Sequence, residues 1–183
     1  MRFLPQGLPG VIVVEPDVHR DDRGFFFESY HARRYGEAGI SEAFVQDNHS
    51  RSVRHTLRGL HARRSRPEGK LVRVLRGEIF DVAVDLRRAS PTFGRWTSVV
   101  LSETNLRQCY IPPGCAHGFC VTGDCAEVAY KCTEHYDPDD EITLLWNDPG
   151  LRIDWPVRDP ILSPRDRAGR TLAELIDVLP PSP

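Results

Sequence analysis

Apolar and polar positions alternate in short bursts from Phe44 onward. Stretches at 56–61, 70–75, 78–85, 95–101, 107–111, 118–121, 126–132 and 142–146 are rich in Val, Ile, Phe and Thr, with turn signals between them. A period of two, broken every ~8–12 residues, is the pattern of an antiparallel sandwich or barrel. Within 79–86, Phe80, Val82, Val84 and Leu86 form an apolar face opposite a mixed one of Ile79, Asp81, Ala83 and Asp85. That suits a strand with one covered face and a second face on a cavity. Arg76-Gly77-Glu78, between two apolar runs, predicts a tight hairpin, and Pro112-Pro113-Gly114 predicts a rigid turn that no central strand could contain. Helical periodicity is confined to the ends, at 31–38 and at 171–179, where Leu172, Leu175, Ile176 and Leu179 share a face.

The 183 residues are the length of one domain, and 40% hydrophobic with 27% charged residues fits an ordinary soluble globular chain. With 24 Lys+Arg against 26 Asp+Glu there is no basic surplus of the kind nucleic acid or an anionic membrane requires. No run approaches the ~18–20 uncharged apolar residues of a membrane helix, and residues 1–10 lack a basic segment leading into an apolar one. These features predict a cytoplasmic protein without membrane or nucleic-acid partners. Five cysteines without a CxxC pair suggest buried thiols rather than disulfides or a zinc ribbon. The only lysines are Lys70 and Lys131. Each is either a remnant of an arginine-biased composition or the mark of a place that needs a compact ammonium.

Four constellations can carry chemistry. His61 in Arg58-Gly59-Leu60-His61, with Lys70 nine positions on, supplies a base and a cation if both strands face one cavity; the alternative is a structural histidine. Pro112-Pro113-Gly114-Cys115-Ala116-His117 has the P-x-G-x-x-H form of the second cupin motif, which often carries a metal histidine. The upstream imidazole that a metal would need at position 63 is instead Arg63, so His117 is expected to bond an organic ligand. Tyr130 is either core or a proton donor, and Asp166 either a charged turn residue or the partner of an imidazole.

Together, Phe44-Val45-Gln46-Asp47-Asn48-His49-Ser50, Leu57-Arg58-Gly59-Leu60-His61, Gly69-Lys70-Leu71-Val72-Arg73-Val74, Phe80-Asp81-Val82-Ala83-Val84-Asp85-Leu86, Ser90-Pro91-Thr92-Phe93-Gly94 and Tyr130-Lys131-Cys132-Thr133 resemble the dTDP-4-dehydrorhamnose 3,5-epimerase family. The resemblance runs from about Gly10 to Asp166. It implies an all-β fold, a cupin-type jelly-roll sandwich with short terminal helices, forming one domain over 1–183 with a helical tail from about 167. It also implies a homodimer, no metal or other cofactor, and a dTDP-4-keto-6-deoxyhexose substrate inverted at C3 and C5. By the same resemblance His61 is the base, Asp166 its dyad partner, Tyr130 the acid and Lys70 the cation beside the enolate oxygen. Arg23, Glu28, Gln46, Asp47, Asn48, Arg58, His117, Glu141 and Arg165 are implied to hold the substrate, and Tyr136 to stack near the thymine. The N-terminal strands are implied to pair with the partner's sheet, carrying Arg23 and Glu28 towards the neighbouring site.

The chain departs from the family pattern at Ala62, where an aromatic is usual, at Arg165 in place of lysine, and at Cys115 in place of a larger residue. The segment between His61 and Lys70 is about one residue short. Against the double epimerase stand a 3- or 5-monoepimerase, a metal-dependent cupin oxygenase and a non-catalytic sugar-nucleotide binder. The presence of base, acid and dyad together favours an epimerase.

Overall fold

The computed structural model describes residues 1–179. Its strands are β1 (Arg2–Pro5), β2 (Ile12–Glu15), β3 (His19–Asp21), β4 (Gly24–Phe26), β5 (Gln46–Val53), β6 (Leu57–Arg63), β7 (Lys70–Asp85), β8 (Trp96–Ser102), β9 (Gln108–Ile111), β10 (Cys115–Cys132) and β11 (Glu141–Thr143). Three short α-helices accompany them, α1 (Ala32–Glu37), α2 (Pro164–Arg167) and α3 (Leu172–Leu175), with one 3-10 turn at Pro138–Asp140. Among the described residues no helix is long and apolar enough to cross a membrane.

Two long strands, β7 and β10, pair antiparallel along nearly their whole length and belong to both layers of the sandwich. The first half of β7 pairs with β9, its second half with β8; the second half of β10 pairs with β5, its first half with β6. One layer therefore runs β1-β2-β9-β7-β10-β5 and the other β8-β7-β10-β6-β11. The expected hairpin at Arg76-Gly77-Glu78 is not formed, because the chain passes through it as a β-bulge. Gly77 has φ +78°, and a Cβ there would collide with the Cys125 carbonyl, so glycine is required for the close approach and not for chain reversal. The separate strands expected at 118–121 and 126–132 are likewise one strand with a register shift.

An extra residue in a strand exchanges its faces. Before the bulge Val72 and Val74 of β7 face the inter-sheet core, and after it Ile79 and Ala83 do. On β10 the order is Phe119 and Val121, then Ala126 and Val128. Neither face of 79–86 is exposed, since Val82, Val84 and Leu86 pack under Leu144, Leu151 and Leu175 from the C-terminal segment. The outer face of the first layer, at Leu71 and Tyr110, is covered by Tyr35 of α1 and by Ile40. The Ser90–Gly94 motif is fastened to Asp85, which accepts from Arg87, Ser90 and Thr92 at 2.6–2.9 Å. Burial pushes that carboxyl up, but these donors outweigh it and hold its pKa at about 2.

At the C-terminus the expected helix over 171–179 shortens to α3, opened by a Thr171/Glu174 capping box and continued by turns that still bury Leu175 and Leu179. Positions 180–183 lie outside the described residues. The pairing of β1 and β2 differs from expectation. They bond to each other and β2 to β9 of the same chain, which buries Val11, Val13 and Val14. Among the described residues only the β3–β4 ribbon stands apart, with Phe25 and Phe26 exposed.

Candidate active site

Where the apolar filling of the sandwich ends, the inter-sheet space opens as a cavity of about 390 Å³. Strand parity selects what faces it. On β5 the even positions Gln46, Asn48 and Ser50 point inward, on the later half of β10 Tyr130 and Cys132, and at the start of β7 Lys70. His117 and Phe119 enter from the earlier half of β10, and His61 lies directly across from His117 on β6. Arg58, Tyr136, Glu141, Ser163, Arg165 and Asp166 complete its lining.

His61 is held between two carboxylates. Its Nε2 is 2.6 Å from Asp166 Oδ1 and its Nδ1 is 3.5 Å from Glu141 Oε1. An ionised Asp166 can only accept, so the neutral ring places its proton on Nε2 and leaves the Nδ1 lone pair free. Asp166 is fixed as well: Ser163, the N-cap of α2, donates to its Oδ2 at 2.8 Å, and the nearby Gly59 N–H favours the charged carboxylate. Burial lowers the His61 pKa, a shift that Asp166 only partly opposes, so the imidazole is neutral at neutral pH. Burial pushes the Asp166 carboxyl up, but the His61 bond and charge together with the Ser163 and Gly59 donors bring it below the ordinary carboxylate value. Burial also raises the Tyr130 phenol, helped by Cys132 and Glu68, and keeps it protonated.

The remaining expected residues fall into two groups. His117 bonds Asp81 at 2.7 Å through Nε2, both side chains being buried, which fixes its ring at the cavity wall. Arg58 donates to Ser52, Gln46 accepts from the Tyr136 N–H at 2.8 Å, and Arg165 pairs with Glu141 and donates to the Tyr136 hydroxyl. Three expected contacts are not brought here. Asp47 occupies the opposite face of β5 from Gln46 and Asn48 and bonds Lys131, Glu28 pairs with Arg34, and Arg23 pairs with Asp21 on the outlying ribbon. Of the departures, Ala62 lines the cavity and Cys115 is buried in the inter-sheet core.

Sequence reasoning passed over Ser50, Arg63, Glu68, Asp81, Phe119, Cys132 and Ser163. Parity with Asn48 and Tyr130 could have found Ser50 and Cys132, and a carboxylate on the face of Ile79 and Ala83 could have marked Asp81. Ser163 carries the signature of a helix cap before Pro164-Arg165-Asp166. Nothing local distinguishes Glu68 from other charged loop residues. Among the described residues no group of three or more His, Cys, Asp or Glu side chains is arranged to hold a metal ion. A neutral oriented imidazole, an ammonium and a protonated phenol around one cavity can take a proton from carbon, hold the resulting oxyanion and return a proton.

Comparison with known proteins agrees with this chemistry. A statistical model of the dTDP-4-dehydrorhamnose 3,5-epimerase family matches residues 5–174. A dTDP-4-dehydrorhamnose 3,5-epimerase of Pseudomonas aeruginosa is 56% identical over 176 residues, covering 95% of this chain and 97% of the relative. A dTDP-4-dehydrorhamnose 3-epimerase of Streptomyces niveus is 42% identical over 179 residues, covering 97% and 86%. The crystal structure of a dTDP-6-deoxy-D-glucose-3,5-epimerase from Legionella pneumophila in complex with dTDP-4-keto-L-rhamnose superimposes with a TM-score of 0.95 at 47% identity, covering 100% of this chain and 98% of that one. The sandwich is thus of the cupin type, and the chain belongs to the dTDP-4-dehydrorhamnose 3,5-epimerase family.

Proposed function

We propose that the whole chain acts in the cytoplasm as one epimerase domain. It inverts C3 and C5 of dTDP-4-dehydro-6-deoxy-D-glucose to give dTDP-4-dehydro-L-rhamnose, with its own side chains as base, cation and acid. The observation that carries this reading is the His61–Asp166 pair, at 2.6 Å, opening onto the cavity that also holds Lys70 and Tyr130. Both C–H bonds flank the C4 ketone, so loss of either proton gives an enolate with its charge on O4. His61 Nδ1 takes the proton, and the imidazolium is balanced by Asp166 and Glu141. Lys70 holds the oxyanion as a compact charge. Tyr130 returns a proton to the other face, and exchange with solvent resets both groups before the second carbon reacts. A single inversion is the second reading, favoured by the identity with the Streptomyces niveus 3-epimerase.

We also infer a homodimer. The β3–β4 ribbon carries Phe25 and Phe26 at 55% and 72% exposure, with a stacked Phe25–Phe27 pair beside them, an apolar edge that a second copy would cover. Arg23 and Glu28 on and after this ribbon lie away from the cavity of their own chain and are thereby available to the neighbouring nucleotide.

His61→Asn is expected to lower proton exchange at both carbons by about 10³-fold or more with dTDP affinity little changed, read by NMR in deuterated water. Exchange at the wild-type rate contradicts the base assignment. Tyr130→Phe is expected to wash deuterium into recovered substrate faster than inverted product forms; equal loss of both removes the acid role. In the pH profile, protonation of His61 removes the base, so kcat/KM falls with falling pH, and because burial depresses that pKa the fall lies below the ordinary histidine value of about 6.5. A limb centred above that value would show the imidazole to be stabilised as the cation. Light scattering is expected to show a dimer that Phe25→Ser with Phe26→Ser dissociates or weakens; a monomeric wild type excludes the shared site.

A further inference from the structure

The loop between β6 and β7 ends in Glu68-Gly69-Lys70 and is pinned from both sides. The Gly69 N–H donates to Thr133 Oγ1 at 2.8 Å, and the Thr133 N–H donates to the Gly69 carbonyl at 3.0 Å. Glu68 is buried at the cavity wall, and one of its oxygens, Oε2, is shared by two cations, Lys70 Nζ at 3.3 Å and Arg63 Nε at 3.6 Å. All three side chains are shielded, at 7%, 14% and 5% exposure. Arg63 in turn donates to the carbonyls of His135 and Asp137 and lies 5.3 Å from the centre of the Tyr136 ring. The Cys132 thiol, which accepts from Asn48 at 3.4 Å, lines the same cavity.

A lysine ammonium rides on a flexible four-carbon stem and does not hold a point by itself. The ion pair with Glu68 at 3.3 Å holds the ammonium in place at the cavity wall. A lone carboxylate so close would also cancel the field that Lys70 offers to an oxyanion. Arg63 on the same oxygen offsets that, so the three groups together keep one positive charge. We propose that Glu68, counterbalanced by Arg63, is the positioning residue that sets Lys70 for the developing enolate, and that Arg63 ties this setting to the loop bearing Tyr136. The proposal rests on the epimerase reading above for its catalytic consequence, while the anchoring itself can be observed without turnover.

With only two lysines in the chain, ¹⁵Nζ-lysine labelling resolves Lys70 from Lys131 by NMR. Glu68→Gln keeps the shape and removes the charge, whereas Glu68→Asp keeps the charge and withdraws it by one methylene. Glu68→Gln is expected to move the Lys70 resonance and not that of Lys131, and to lower kcat by about tenfold or more with KM and the Kd for dTDP within about twofold. Glu68→Asp is expected to recover part of that loss. An unmoved Lys70 resonance in both variants, or kcat within about twofold of wild type in both, overturns the proposal. A loss of dTDP affinity and melting temperature in step with kcat in both variants assigns Glu68 to the frame and overturns it too. Absence of C3 and C5 exchange in the wild type is a failure of the epimerase reading instead, and the lysine resonances then decide the anchoring alone.

Discussion

The ladder between β7 and β10, fourteen residue pairs long and interrupted by two register shifts, is the constraint on which the other features depend. Each strand contributes to both layers, and the register shifts on either side of Gly77 decide which side chains point between them. Val72, Val74, Phe119 and Val128 fill the closed part of that space, while Lys70, Tyr130 and His117 face its open end. A slip of one residue would turn Lys70 and Tyr130 onto the outer face, where Leu71 packs beneath α1. Hydrophobic register and site geometry are therefore the same fact seen at two ends of the cavity.

Placing ionisable groups in such a space is costly unless each is partnered. His61 has Asp166, His117 has Asp81, and Lys70 and Arg63 share Glu68. Desolvation then acts in two useful directions at once. It disfavours the imidazolium, keeping His61 available as a base, and it disfavours the phenolate, keeping Tyr130 available as an acid. One physical cause thus sets opposite protonation roles on two groups of the same cavity.

Much of this was legible in the sequence. The two-residue period identified most strands, and His61, Lys70, Tyr130 and Asp166 all line or border the cavity as expected. What failed, failed for local reasons. Arg76-Gly77-Glu78 has the composition of a turn, and a bulge needs the same positive φ from glycine; the difference lies in the Cys125 backbone across the ladder, nearly fifty positions away. The resemblance implies a substrate role for Asp47 alongside Gln46 and Asn48, but neighbours in a strand face opposite ways, and Asp47 bonds Lys131 on the other face of β5. The apolar run Val11-Ile12-Val13-Val14 is absorbed largely by β9 and the inter-sheet core of its own chain. Glu68 and Asp81 escaped because a carboxylate's worth as a partner depends on what the fold brings against it, which no window along the chain contains.

The central claim is that one base, one cation and one acid in this cavity invert both carbons beside a ketone. Incubation with dTDP-4-dehydro-6-deoxy-D-glucose in deuterated water, followed by NMR at C3 and C5, tests it most directly. The account predicts inverted product carrying solvent deuterium at both carbons. Tight binding of the sugar nucleotide without exchange at either carbon, or exchange at both without inversion, would contradict it.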